Sequence, residues 1–365
     1  MRTAVVFAFN PQNAGMYSVD LGALHFFSGL GWAVDFFCPT ILNDAPTAGY
    51  GQMILRTLTD SRDLSGYDNV IYWGDFTTNP QYGLVDFTRK ERQFGGVYDA
   101  RKSFQRWVSC FLPKRLLDGN PRVFSFGQNF QSIWAAEKNI NLQNLAPLYE
   151  HFDAILPRDS YSVEHLQSYF PRAANGNVRL GMDCAFLVNS HTGADKHQAA
   201  SRPLRIGTLF GRSQLSNLDI LSAQAERRGA QIEDLSGWLR LPSQNIHWSF
   251  ASLLETIRGC DLIISDTYHL LINAMREGVA VQGVGVKSER QEKSVSDFKK
   301  RVLFADLGLS DLYLELENTT LTVELAEHLL QALDPKVATE RQERIIQTVA
   351  DNTGRYKSSL KDALL

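Results

Sequence analysis

A chain of 365 residues, 44% apolar and 21% charged, holds enough material for two soluble globular domains. Its net charge of −3 speaks against a nucleic-acid coat or a polybasic membrane patch. No apolar run reaches the ~20 residues that span a bilayer. The four cysteines, at unrelated spacings, read as buried thiols of a reducing compartment, taken as the cytoplasm.

The apolar start of "MRTAVVFAFNPQNAG" is too short for a signal-peptide core and reads as a first core strand, "TAVVFAF". A helix follows in "SVDLGALHFFSGLG", with Leu21, Leu24 and Phe27 on one face and Gly31 closing it. Further apolar bursts, "AVDFFC", "NVIYWG", "RVFSFG" and "DAILPR", alternate with helical patterns such as "DSYSVEHLQSYF". This is the signature of βαβ units and a parallel sheet buried on both faces. Residues 189–203, "NSHTGADKHQAASRP", are polar and end in proline, as a linker does. Then the alternation restarts with "LRIGTLFG", "AQIEDLSG", "DLIISD" and "VAVQGVG" as strands, each separated from the next by a helix.

From Lys336 onward one charged helical pattern runs to the end, with apolar points at Ile345, Ile346, Val349 and Leu360. The expected fold class is α/β with two Rossmann-like domains facing a central cleft. The expected domains are 1–188 and 204–335, joined by the linker 189–203, with helix 336–365 packing across both. The basic runs "DFTRKERQ" and "DFKKRV" read as solvated helix faces.

Ligands of such sheets lie beyond the carboxyl ends of the strands, so polar residues at strand ends are the candidates. After the first strand, Asn13 and Gly15 form a turn into a helix N-terminus, which either receives a polar group or merely turns the chain. Asp75 follows Gly74 at the end of "IYWGDF", as a proton acceptor for a hydroxyl or as a helix or turn cap. Gln128 and Asn129 follow Gly127, where amides bond sugar hydroxyls or neighbouring loops. In "PRDSYS", Asp159 and Ser160 read as caps, and Arg158 as a partner for an interior carboxylate. Arg212 begins the second domain, where a guanidinium could clamp a phosphate or carboxylate or simply face solvent. Asp266, Thr267, Tyr268 and His269 crowd the point where "DLIIS" becomes a helix, a place that tunes a histidine for proton exchange. Lys287 closes the set after "GVGV", as a donor-binding cation or a solvated one. Metal-ligand spacings, a P-loop and a nucleophile elbow are all missing from the sequence.

In order and spacing, "YWG" (72–74), "FSFGQ" (124–128), "PRDSYS" (157–162), "MDCAFL" (182–187) and "GVAVQGVGVK" (278–287) resemble the polysaccharide pyruvyl transferase family. The resemblance runs from about Asn10 to Lys287. It implies a GT-B-like fold and transfer of a pyruvyl group from phosphoenolpyruvate onto a sugar or lipid-linked glycan as a cyclic ketal, with phosphate released. It requires no cofactor, metal or nucleic acid and says nothing of oligomeric state. The family's histidine falls on His269 and its second-domain arginine on Arg212. Thr267 and Tyr268 stand where the family's motif has arginine and leucine, and Asp75 and Phe76 stand in place of glycines. The expected roles are His269 and Asp75 as acid and base, Arg212, Thr267, Tyr268 and Lys287 toward the donor, and Asn13, Gly15, Gln128 and Asn129 toward the acceptor. Trp73, Phe76, Tyr82 and Trp134 either stack on sugar faces or fill the core. The alternatives are a GT-B glycosyltransferase using a nucleotide sugar and a glycan-binding relative without catalysis.

Overall fold

A computed structural model of the chain describes residues 1–8, 10, 12–39, 53–112, 120–189, 202–242, 245–287 and 295–365. Most of the expected linker, 190–201, lies outside them. Among the described residues the strands form two parallel sheets. The first is ordered β3-β2-β1-β4-β5-β6, from β1 (Thr3–Val6), β2 (Val34–Cys38), β3 (Leu55–Thr57), β4 (Asn69–Asp75), β5 (Arg122–Gln128) and β6 (Ala154–Leu156). The second is ordered β11-β10-β9-β7-β8, from β7 (Leu204–Leu209), β8 (Ala230–Asp234), β9 (Leu262–Ser265), β10 (Ala280–Val286) and β11 (Tyr313–Leu316). β3 and β11 are edge strands that the sequence pattern does not announce. Each is short, and a brief run carries little periodicity.

The longer helices are α1 (Ala14–Gly29), α2 (Ala100–Phe111), α3 (Ser160–Tyr169), α4 (Leu218–Arg227), α5 (Ile246–Arg258), α6 (Tyr268–Arg276), α7 (Val295–Asp306), α8 (Val323–Leu330) and α9 (Pro335–Leu364). They cover sheets whose central strands β1, β4 and β9 are buried throughout, since a parallel strand between two helical layers meets no water on either face. None of the helices among the described residues is long and apolar enough to cross a membrane. The four cysteines are buried and outside any disulfide.

Helix α9 buries Ile345, Val349 and Leu360, while Ile346 stays 42% exposed beside Gly278. It touches both halves of the molecule. Arg341 Nη1 donates to Gln282 Oε1 (3.0 Å) in β10, and at the far end Arg122 of β5 donates to the Leu364 and Ala363 carbonyls (2.6 Å each).

The reading of "DFKKRV" as a solvated face is corrected. Lys300 is 0% exposed, its Nζ donating to the Asp266 carbonyl and to Asp297 Oδ1 at 2.7 Å each, and Lys299 is half-buried. In "DFTRKERQ", Glu91 is buried and paired with Arg106. A buried charge persists only when paired in this way.

Both sheets reverse strand order once, between β1 and β4 and between β7 and β9. At such a point neighbouring loops part in opposite directions and leave a crevice. Helix α1 of the first half packs on α6 of the second, which brings the two crevices together.

Candidate functional site

Four segments deliver charged groups to one spot. β4 ends in Gly74 (φ +70°) and Asp75 (φ +55°), two consecutive left-handed residues that turn the chain sharply at the sheet's edge. The second is an unfavourable backbone for a side-chain-bearing residue. β6 runs out through Pro157 to Arg158. Segment 178–183 returns along β6, with Arg179 N–H bonded to the Ile155 carbonyl (3.1 Å) and Gly181 N–H to that of Pro157 (2.7 Å), and so delivers Asp183. From the other half, β9 ends at Ser265 and His269 enters as the second residue of α6.

His269 Nε2 lies 3.4 Å from Asp183 Oδ2 and 3.9 Å from Asp75 Oδ1. Arg158 Nη1 lies 3.2 Å from Asp183 Oδ2 and 3.4 Å from Asp75 Oδ1, and its Nε is 3.5 Å from Asp159 Oδ2. The Arg158 guanidinium also covers the Tyr268 ring at 4.4 Å, and Lys299 Nζ approaches the same ring at 5.2 Å. Of the first group only His269 keeps some exposure, 13%, against 3% or less for Asp75, Arg158 and Asp183. Asp75 Oδ2, Asp159 Oδ2, Arg158 Nε and His269 Nε2 are all buried without a formed hydrogen bond. Arg158 Nε and Asp159 Oδ2 face each other as a stretched ion pair and His269 Nε2 faces Asp183, so long, incomplete contacts with Asp75 Oδ2 left unsatisfied are the mark of a ligand site here.

The electrostatics separate the two carboxylates. Burial raises Asp75, and neighbouring Asp183 adds to it, against the pull of His269 and Arg158. Burial would also raise Asp183, but His269, Arg158 and the Ala185 N–H outweigh it and bring the carboxyl down to about 2. Asp75 thus holds a proton to higher pH while Asp183 stays ionised, a division of labour suited to acid–base chemistry. Burial and the Arg158 charge lower Lys299 to about 7, with Asp75 opposing, so this ammonium exchanges its proton near neutrality.

Glycine is needed at position 15. A Cβ there would sit 2.5 Å from His269 Cβ and 2.7 Å from its Cγ and Nδ1, so the N-terminus of α1 presses directly on the imidazole. Asn13 caps that helix, its Oδ1 accepting from Gly15 N–H (3.0 Å) and Met16 N–H (3.3 Å). Asn273, one turn beyond His269, donates to Ser18 Oγ (3.0 Å) and to the His269 carbonyl (2.8 Å), which fixes α6 on α1.

The other residues singled out from sequence are placed as follows. Gln128 is buried, its Oε1 accepting from Thr78 N–H (3.2 Å) and its Nε2 donating to Thr77 Oγ1 (2.7 Å). Asn129 Oδ1 accepts from Gln131 N–H (2.8 Å). Of the two options for these amides, the structure shows the neighbouring-loop bonds. Arg212 is exposed, but its N–H is held by Asp266, which also accepts from Gly211 N–H (3.0 Å) and Ser213 N–H (2.7 Å). Thr267 sits at the N-cap of α6 without capping it, and its hydroxyl bonds Asp266 Oδ1 (3.3 Å). Tyr268 is the ring between Arg158 and Lys299. Lys287 is exposed and pairs with Glu317 (3.0 Å). Trp73 and Tyr82 are core residues, and Phe76 packs on Tyr82. Three members of the cluster, Arg158, Asp183 and Lys299, are not among the site residues chosen from sequence. Only Arg158, read as a partner for an interior carboxylate, carried a signal.

The polysaccharide pyruvyl transferase family model matches residues 95–288, and no curated protein matches the chain. Among solved structures, UDP-GlcNAc 2-epimerase from Neisseria meningitidis is similar with a TM-score of 0.54 at 13% identity, covering 100% of this chain and 99% of that one. The putative UDP-N-acetylglucosamine 2-epimerase from Listeria monocytogenes gives 0.53 at 10% identity, covering 99% and 97%. UGT2 from Phytolacca americana gives 0.53 at 8% identity, covering 99% of each chain. These likenesses fix the fold as GT-B-like, with two Rossmann-like domains. With the family match spanning more than half of its length, the chain belongs to the polysaccharide pyruvyl transferase family.

Proposed function

We propose that the protein transfers a pyruvyl group from phosphoenolpyruvate to two hydroxyls of a glycan, making a cyclic ketal and releasing phosphate. The observation that carries this reading is His269, held between Asp75, whose carboxyl is raised by burial, and Asp183, whose carboxyl is lowered, with Arg158 and Lys299 beside it. In the first step His269 gives a proton to the methylene carbon as a sugar hydroxyl adds to the neighbouring carbon and loses its proton to Asp75. In the second, another hydroxyl attacks that carbon and gives its proton to His269, the carbon–oxygen bond to phosphate breaks, and Asp75 passes its proton to the departing phosphate. The sum is donor plus diol to ketal plus phosphate, with no redox change. Asp183 orients the imidazole, while Arg158, Lys299 and Arg212 receive the donor's phosphate and carboxylate. Thr267 leaves the family's arginine position neutral, and Lys299 brings a cation to the adjacent Tyr268 from a different helix. Buried cysteines outside any disulfide agree with a cytoplasmic enzyme.

A nucleotide-sugar donor is less well supported. The backbone N–H groups of residues 211–213, which open the second domain, are taken by Asp266 and so are not offered to a pyrophosphate.

Calorimetric titration tests the reading. Phosphoenolpyruvate should bind saturably, and Lys299→Met should weaken it about 10- to 100-fold, the worth of one charge-assisted contact. UDP-sugars should give no heat. Because the Lys299 ammonium is charged only below about 7, affinity should fall as pH rises through that value. Lys299→Arg, which stays charged, should remove this component of the pH dependence. Failure of phosphoenolpyruvate to bind at any pH would end the proposal.

Gly15→Ala probes the geometry. Its methyl would displace His269 or α1, so turnover should fall about 10²-fold, for ~1–3 kcal/mol of stability. Parallel rate and urea-melt measurements would show it, and a fully active variant would contradict the close contact.

A further inference from the structure

Arg158 has a second side. Beyond it lies a cavity of about 250 Å³, walled by Leu180–Met182 of the first half, by α7 of the second and by the middle of α9. We infer that this cavity is a subsite for a single sugar ring of the acceptor, separated from the His269 cluster by the Arg158 guanidinium. The inference rests on the pyruvyl-transfer reading only for the word acceptor, since the cavity's chemistry is independent of it.

Three observations support a sugar. The volume is below the roughly 300–1,000 Å³ of pockets for drug-sized ligands, and so suits one ring. Its lining mixes apolar and polar groups in the proportion a pyranose presents. Leu180 (50% exposed, at the lip) and Leu303 offer surface for the ring's C–H face, while Arg355 and Ser359 supply donors and acceptors for hydroxyls. Arg158 also lines the cavity and brings a guanidinium to its wall, paired with Asp75, Asp159 and Asp183.

Charge argues in the same direction. Among the described residues the one carboxylate lining the cavity, Asp306, already accepts from Ser160 N–H (2.8 Å) and Ser160 Oγ (2.6 Å), one on each oxygen. A cationic ligand would find no free anion there. Arg355 spends one bond on Asn352 Oδ1 (3.0 Å) and retains further N–H donors in a planar fork, a shape suited to adjacent hydroxyl oxygens. The Ser160–Asp306 bonds run from the first half to the second, so the cavity is complete only while the halves stay together. A ring bound there would touch both halves and share Arg158 with a donor on its other side.

The experiment titrates the full chain with the methyl pyranosides of glucose, galactose, mannose and N-acetylmannosamine, followed by saturation-transfer NMR, with phosphoenolpyruvate calorimetry in parallel. The variants are Leu180→Trp, which fills the mouth from an exposed position, and Arg355→Ala, which removes a fork on the surface helix. At least one pyranoside should bind saturably, and each variant should weaken it about tenfold or more, with phosphoenolpyruvate affinity held within about twofold. If none of the four binds, or the variants bind like wild type, the subsite is overturned. If a pyranoside binds and both variants weaken it but phosphoenolpyruvate does not bind, the subsite stands and the pyruvyl-transfer proposal falls.

Discussion

His269→Ala should lower turnover with phosphoenolpyruvate by about 10²–10⁴-fold, the range that a positioned acid or base contributes. The effect should fall on kcat more than on donor affinity, because the imidazole acts on a carbon that gains its proton only in the transition state. His269 is more exposed than the three groups it meets, Asp75, Arg158 and Asp183, and its ring fills space beside Gly15 rather than supporting the core. The melting temperature should therefore change little. An unchanged rate in His269→Ala would remove the histidine from the mechanism, and a lost fold would mean that the contact between α1 and α6 depends on it.

The second large effect is on stability. Arg158→Met leaves Asp75, Asp159 and Asp183 buried without their shared cation, and breaking a buried pair in this way costs about 3–5 kcal/mol. The sign with pH follows from the two carboxylates. Asp183 is depressed from 3.8 to about 2, so its contribution is present above pH 4 and is lost as pH falls from there toward 2. Asp75 is raised, so it favours the fold at low pH, and that advantage disappears as pH rises through its shifted value. Without Arg158 both carboxyls move up and take protons more readily. The deficit of the variant should thus be largest near neutrality and shrink toward pH 4.5, which urea midpoints at the two pH values would show. A deficit independent of pH would mean that the guanidinium acts by filling volume against Tyr268.

Strand ends were legible because the chain marks them with an apolar run, a glycine and then a polar group. Asp75 and His269 are found by that rule, and both reach the cleft. At Asn13, Gln128 and Asn129 the same rule meets a second demand, since a strand that stops leaves backbone N–H groups, and the side-chain oxygens of these amides accept from them. Asp183 was hidden for the opposite reason. It arrives on a returning segment with no periodic signal, held to β6 by backbone hydrogen bonds that any sequence could make. Lys299 and Lys300 lie next to each other on α7, and charge alone does not reveal that both face inward. For Lys300 the answer depends on the Asp266 carbonyl beside Asp297 of its own helix, and for Lys299 on Arg158 and Asp75 of the other half. The terminal helix was plain from its long period, and the short edge strands β3 and β11 were not.

Helix α9 bears on how such a site exchanges its substrates. Its 30 residues make a rod about 45 Å long, tied to β10 near one end and to β5 at the other. Asp75, Arg158 and Asp183 ride on one body and Tyr268, His269 and Lys299 on the other. A rod pinned to both bodies resists their separation along its length and leaves a twist about its axis as the compliant coordinate. Motion on that coordinate would slide the imidazole across its two carboxylates instead of withdrawing it from them, as in domains that move by shear.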